Sequence, residues 1–332
     1  SWMLSKVVHN KGGLYNRLTE QIHLRTFCLR ECEAYVKAAG LALNRNQILQ
    51  YYMIFGGVPY YWGFLKKGLS LSQNIDSILF EKDAPLRDEF KYLYASVFKK
   101  PENYVKIIEA LGTKKVGMTR EEIITATKIP NSGDLTTKLE ELESCGFIRK
   151  YNAFGMKKKN AIYQLMDCFT LFYFKFLKSE PTDEHFWTNQ INTPAVNTWL
   201  GLAFERVCME HVDQIKFKLG ISGVLTEVNS WYCKSDSDNG IFGSQIDMLI
   251  ARKDQVINLC EMKYSQSEYT ITEKVDRSIR NKISDLRVVS GTKYAIYPTL
   301  ITTYGVVENS YSQELQSVVT MDDLSSRYIP IS

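Results

Sequence analysis

The chain has 332 residues, 45% hydrophobic and 23% charged, a composition expected of a soluble globular protein with room for two or three domains. A formal charge of +4 is too small to mark a nucleic-acid binder by itself, and no apolar run approaches the roughly 18 residues of a membrane span. Seven scattered cysteines without a C-x-x-C pair imply neither a disulfide framework nor a zinc site. Ser1-Trp-Met-Leu-Ser-Lys6 has no apolar core of secretory length, so reduced thiols and a cytoplasmic location are expected.

In chain order, residues 1–30 read as the end of something larger, with a strand-like run at 22–29. Helical spacing of apolar residues then predicts helices at 30–39, 44–55, 57–66, 70–80 and 86–98. The pattern restarts at Pro101 with a helix through Ala110. Thr119-Arg-Glu-Glu122 is a capping box, in which the Thr hydroxyl and the Glu carboxylate each take a backbone N–H, and a short helix to about Thr127 follows. Pro130-Asn-Ser-Gly133 is a turn. Leu135, Leu139 and Leu142 share one face of a helix that ends at Gly146. Strands at 147–152 and 161–166 flank a basic loop. Helix, turn, helix and hairpin is the order of a winged helix.

An aromatic helix is expected at 168–180, as core or interface, and a linker at 179–183. The remainder reads as a helix at 195–218, strands near 224–233, 243–251 and 256–264, a charged helix at 272–289, and strands near 293–299 and 301–307.

The chemistry gathers in Gly243–Gln266. Alternation puts Glu261 and Lys263 on one strand face, and Asp247 opposite Ile246 and Met248 on its own strand. In a hairpin, directly opposed residues share a face. Asp247 therefore meets Glu261 only across a turn of odd length, such as Lys253-Asp254-Gln255, whereas an even turn without a bulge separates them. In the odd register two carboxylates and an ammonium converge, and carboxylates that close repel unless a cation lies between them. Mg²⁺ suits such oxygen donors, and it activates water and stabilises charge on a phosphodiester. Lys263 would orient the water or neutralise the transition state. The same residues also fit a half-exposed salt bridge of little energy. Glu205 interrupts the stripe Leu202, Met209, Val212, where a buried carboxylate needs a partner. That partner is the metal site or a nearby arginine such as Arg206, unless Glu205 simply lies at the edge of the face.

For nucleic acid, the winged-helix region offers Lys138 beside Thr136 and Thr137, and a basic wing of Arg149, Lys150, Lys157, Lys158 and Lys159. Glu140, Glu141 and Glu143 on the same helix repel phosphate. The alternative is a module that docks protein. The four histidines show no metal spacing, and His211 is expected to pack.

A helix with Glu205, a strand, Ile246-Asp247, then Glu261-x-Lys263 and a helix resembles the PD-(D/E)XK, or restriction-endonuclease-like, family. That resemblance implies a mixed sheet flanked by helices and metal-dependent DNA cleavage. It makes Glu205 the first-helix acid, Asp247 and Glu261 the metal ligands and Lys263 the catalytic lysine. Ile246 stands where the family has Pro.

Ser1-Trp-Met, Asn10-Lys-Gly-Gly-Leu-Tyr-Asn-Arg17, Gly56-Gly-Val-Pro-Tyr60, the winged helix and the nuclease-like end, in this order, make nearly the whole chain similar to the archaeal-type ATPase family. Its members are AAA-like P-loop ATPases with a C-terminal PD-(D/E)XK-like domain. The similarity implies the end of an ATPase core at 1–30, a helical lid at 31–98, a winged helix with its connecting helix at 99–180 and a nuclease-like domain at 190–332. It would make Arg17 a nucleotide-sensing arginine; a loop cap or a pair with Glu20 fits Arg17 equally. The chain contains no G-x-x-x-x-G-K-[ST], so ATP is expected only with a P-loop core upstream of Ser1.

The expectation is a multidomain α/β protein that cleaves DNA with Mg²⁺, or else a non-catalytic module that binds nucleic acid or protein. DNA, a second copy of the chain and the ATPase core are the expected partners; a membrane is not.

Overall fold

The computed structural model describes residues 19, 24–152, 154–155 and 161–326. Arg17, Lys157, Lys158 and Lys159 lie outside these, as does most of the segment expected to end an ATPase core. Over 24–28 the backbone is irregular rather than the expected strand, and Leu29 opens α1 (Leu29–Ala38). Helix α2 (Arg45–Phe55) starts at a capping box of Asn44 and Gln47. The helix expected over 57–66 shrinks to α3 (Pro59–Trp62), with Pro59 at its first turn. Next come α4 (Leu71–Leu79), capped by Ser70 and Gln73, α5 (Glu89–Val97) and α6 (Glu102–Gly112).

A two-residue strand, β1 (Met118–Thr119), precedes α7 (Arg120–Thr127). The expected capping box is present there. Thr119 Oγ1 accepts from the Glu122 N–H at 3.3 Å, and Glu122 Oε2 accepts from the Thr119 N–H at 2.8 Å. Helix α8 (Gly133–Ser144), β2 (Ile148–Tyr151) and β3 (Ile162–Leu165) follow. The sheet order is β1-β3-β2, so a strand too short to show in the sequence pattern joins the expected hairpin. Gly117 makes this possible: its φ is +87°, and a Cβ there would stand 2.3 Å from the Tyr163 carbonyl oxygen.

The aromatic stretch forms α9 (Cys168–Phe172) and a π-helical turn, Tyr173–Leu177. Then come α10 (Phe186–Gln190), α11 (Pro194–Glu210) and α12 (Val212–Lys218); His211 breaks the single helix expected at 195–218. The last elements are β4 (Thr226–Tyr232), β5 (Gln245–Arg252), β6 (Val256–Lys263), α13 (Glu273–Ser290), β7 (Ala295–Thr302), β8 (Ser317–Val319) and α14 (Met321–Leu324). Where two strands were expected near 293–299 and 301–307, one continuous strand runs through Pro298.

These elements form two compact units. The first comprises 58–150 and 162–191; the second takes 28–57, the described parts of 151–161, and 192 onward. The lid expected as one piece at 31–98 is thereby divided, and 179–183 falls inside the first unit rather than linking domains.

The first unit is held by aromatic rings. Phe90 stacks on Tyr173 at 3.8 Å and Phe98 on Tyr104 at 3.9 Å, and the buried Tyr94 hydroxyl lies 2.8 Å from Thr170 Oγ1. Asp76, 1% exposed, accepts from the Trp187 N–H at 2.7 Å and from the N–H and hydroxyl of Thr188, which fixes the start of α10.

The second unit is built on a five-stranded mixed sheet, β4-β5-β6-β7-β8, flanked by helices. Strands β4, β5 and β6 pair antiparallel; β6, β7 and β8 run parallel. One core cluster joins Trp231, Ile246, Leu249, Ile257, Leu259 and Ile296 of the sheet to Leu286 of α13. On the N-terminal side, α1 and α2 pack with α11: the Leu29 N–H donates to His211 Nε2 at 3.0 Å, and the Tyr52 hydroxyl to Glu210 at 3.0 Å.

Candidate active site

The β5–β6 turn decides the site. Met248 pairs with Cys260, Leu249 with Leu259, Ile250 with Asn258 and Ala251 with Ile257. The turn between the strands is Lys253-Asp254-Gln255, the odd connection, with Gln255 at φ +64°. A three-residue hairpin loop whose last residue is left-handed is a common way to join two strands without splaying them. The regular β5–β6 pairing ends at Met248–Cys260, and on its other side β5 shifts register against β4, from Asn229–Leu249 to Trp231–Ile246, so Asp247 lies at a bulge where simple alternation does not set its face. Lys263, two residues on from Glu261, shares the face of Glu261 on β6.

Glu261 is held from both sides. Lys263 Nζ lies 2.7 Å from Oε1 and Lys282 Nζ 2.6 Å from Oε2, with the Glu261 side chain 14% exposed. Burial raises the carboxyl, but Lys282 and Lys263 together outweigh it and hold Glu261 below the usual carboxylate range. Burial likewise depresses Lys263, and the charge and hydrogen bond of Glu261 reverse this, with smaller contributions from Tyr269 and Glu205, so its ammonium is held above the usual lysine value. Asp247 Oδ1 accepts from Gln245 Nε2 at 2.6 Å.

Two helices complete the surroundings. Helix α11 places Glu205, 9% exposed, where its charge acts on Lys263. The buried face of α11 is not the stripe expected: Leu202 is 38% exposed, while Ala203, Phe204 and Val207 are buried. A helix covered on most sides has no single apolar stripe. Helix α13 brings Lys282, which sequence reasoning missed. The available signal was its place beside Ile279, Ile283 and Leu286, on the side of a charged helix that turns inward.

Upstream of the site, Asp285 of α13 is fully buried. It accepts from the Phe242 N–H at 2.9 Å and the Ser244 hydroxyl at 2.5 Å, fixing the approach to β5 and hence where Asp247 begins. Gly243 between them has φ +85°, and a Cβ there would lie 2.8 Å from the Ser235 nitrogen.

The expected DNA-facing residues divide. Lys138 folds back: its ammonium pairs with Asp134 and lies 5.4 Å from the Tyr104 ring centroid, leaving the side chain 12% exposed. Arg149 Nε donates to Gln164 at 2.6 Å. Lys150 is exposed, its ammonium 5.8 Å from the Tyr163 ring centroid.

Among the described residues, no group of three or more His, Cys, Asp and Glu side chains is placed to hold a metal ion. Both Glu261 oxygens are taken by Lys263 and Lys282, and Asp247 Oδ1 by Gln245. No helix among the described residues is long and apolar enough to cross a membrane. Comparisons with protein-family models, curated proteins and solved structures find no match for this chain.

Proposed function

We propose that the second unit is a PD-(D/E)XK-like nuclease domain acting on DNA with Mg²⁺, and that the helix–turn–helix–hairpin of the first unit is a winged helix that holds the nucleic acid. What supports this reading is the odd three-residue β5–β6 turn together with a buried Glu261 gripped by Lys263 and Lys282 at the end of β6. Asp247 and Glu261 would hold the ion, which when bound supplies Lewis-acid stabilisation and an activated water. Lys263, kept protonated by Glu261, donates to charge developing on the phosphodiester. Glu205 adds a smaller contribution in the same direction. The chain is proposed as part of an archaeal-type ATPase, with nucleotide binding supplied from elsewhere in the protein.

A second reading is favoured by one observation: both Glu261 oxygens are engaged by lysines, as in a structural cluster of a non-catalytic interaction module. Nicking of supercoiled DNA by the purified chain under Mg²⁺ or Mn²⁺ separates the two. The nuclease reading expects cleavage that Asp247→Ala and Lys263→Ala each abolish. Cleavage unchanged in either variant rejects the assignment.

A further inference from the structure

The first unit holds a cavity of about 180 Å³ between the end of α4, the start of α5 and the π-helical turn Tyr173–Leu177. Its floor is apolar: Leu79, Phe80 and Leu177 are buried, and Phe90 stacks flat on Tyr173 at 3.8 Å. A space of this size takes one six-membered ring or a branched aliphatic group. Four charged side chains also line it, of which Asp88 and Lys91 pair with each other at 2.6 Å. Arg87 and Glu180 remain. Arg87 is fixed by backbone carbonyls: Nη1 donates to Phe80 at 2.7 Å and to Glu81 at 3.2 Å, and Nη2 to Pro181 at 3.3 Å. Among the described residues no carboxylate pairs with it, and a guanidinium cannot shed its charge. Glu180 adjoins the Pro181 that Arg87 holds. No cation among the described residues forms an ion pair with its carboxylate, whose charge reaches Lys91 only through space. Its φ is +49°, a conformation costly for such a residue. Backbone held that way, and π-helical turns, both recur at functional sites.

We propose that this cavity binds an apolar α-amino acid, its side chain among Phe80, Phe90 and Leu177, its carboxylate on Arg87 and its ammonium on Glu180. The ligand class follows from the two charges that the fold leaves without partners. A simple carboxylate would satisfy Arg87 and be repelled by Glu180, and an amine would do the reverse. A zwitterion answers both, and an α-amino acid carries its two charges on one carbon beside its side chain. Three carbonyls already hold the guanidinium in place, so a charge-assisted hydrogen bond from it to the ligand carboxylate costs little ordering. The apolar floor rejects charged side chains, which would lose their water there. The site lies wholly within the first unit and does not depend on the nuclease reading of the second.

The test is isothermal titration calorimetry of the full chain with L-phenylalanine, with phenylpropanoate, which lacks the ammonium, and with phenethylamine, which lacks the carboxylate. L-Phenylalanine is expected to bind, and each analogue to bind at least about tenfold more weakly. Glu180→Gln is expected to weaken L-phenylalanine at least about tenfold without weakening phenylpropanoate. Arg87→Met should weaken L-phenylalanine similarly without weakening phenethylamine. Because Arg87 also ties three carbonyls, that variant can fail to fold; Glu180→Gln changes an exposed side chain and carries the comparison alone. No binding of L-phenylalanine, equal affinity for all three compounds, or an unchanged affinity for L-phenylalanine in Glu180→Gln would each overturn the proposal.

Discussion

Asp285 and Phe242 are joined by a 2.9 Å hydrogen bond from the Phe242 backbone N–H to a fully buried carboxylate, across more than forty residues of sequence. With the Ser244 hydroxyl on its other oxygen, Asp285 fastens the chain three residues before Asp247 enters the site. Replacing it with Ala strands these donors in the core. Asp285→Ala is expected to destabilise the protein by roughly 2–4 kcal/mol in urea unfolding, with loss of hydrogen-exchange protection at Phe242. Asp285→Asn, which retains an acceptor, is expected to lose about half as much. Unchanged protection at Phe242 in the Ala variant would contradict the assigned role.

Glu261 is expected to matter for stability as well as for chemistry. Glu261→Ala leaves Lys263 and Lys282 facing each other without their shared counter-ion, a loss of roughly 2–4 kcal/mol. Adding Lys282→Met to Glu261→Ala removes one of the stranded charges and is expected to recover part of the loss. A double-mutant cycle by urea denaturation measures this; strictly additive losses would show that the three groups do not act together.

His211 gives the second unit an acid sensitivity. Its Nε2 accepts from the Leu29 N–H, while Nδ1 donates to the Val207 carbonyl at 2.8 Å. Burial pushes the imidazole from 6.5 down to about 4, and the Val207 carbonyl opposes this only partly. The unfolded chain therefore takes up the proton first. The contribution of neutral His211 is intact above pH 6.5 and is lost progressively as pH falls toward 4, by about 3 kcal/mol at most. Urea midpoints between pH 7 and pH 4 should show this slope, and His211→Gln should flatten it.

The exposed and folded-back lysines of the first unit make opposite predictions. Lys150→Ala is expected to weaken binding to a DNA duplex and to lower the salt dependence by about one counterion. Lys138→Ala, whose ammonium is spent on Asp134 and Tyr104, is expected to leave DNA affinity within about twofold and to lower thermal stability instead. Fluorescence anisotropy across a salt series distinguishes the two; equal effects would count against this division.

Much of the architecture is legible in the sequence where the rule is local. Apolar alternation finds β5 and β6, the odd turn sets their register, and Thr119 with Glu122 caps α7 as their chemistry requires. What escapes depends on distant packing. Strand β1 is two residues long and exists because Tyr163 and Ile162 are there to pair with it. Strand β7 continues through Pro298 because β6 holds it along its whole length. Lys282 meets Glu261 only after α13 has crossed the sheet, a contact between a helix face and a strand face that neither periodicity reveals alone. The stripe through Leu202 fails for a related reason: Trp199, Phe204 and Val207 show that α11 is enclosed, so residue spacing along it does not select one inward side.

The second unit is assembled from stretches that bracket the first in sequence, with residues 28–57 leaving the ribosome long before the strands and helix α11 they pack with. The earlier helices must wait, their apolar sides exposed, while the intervening unit completes itself. The second unit therefore cannot close until α11 and the strands have been made. Loss of α11 would leave the Leu29 N–H and the Tyr52 hydroxyl without the partners they bond in the second unit.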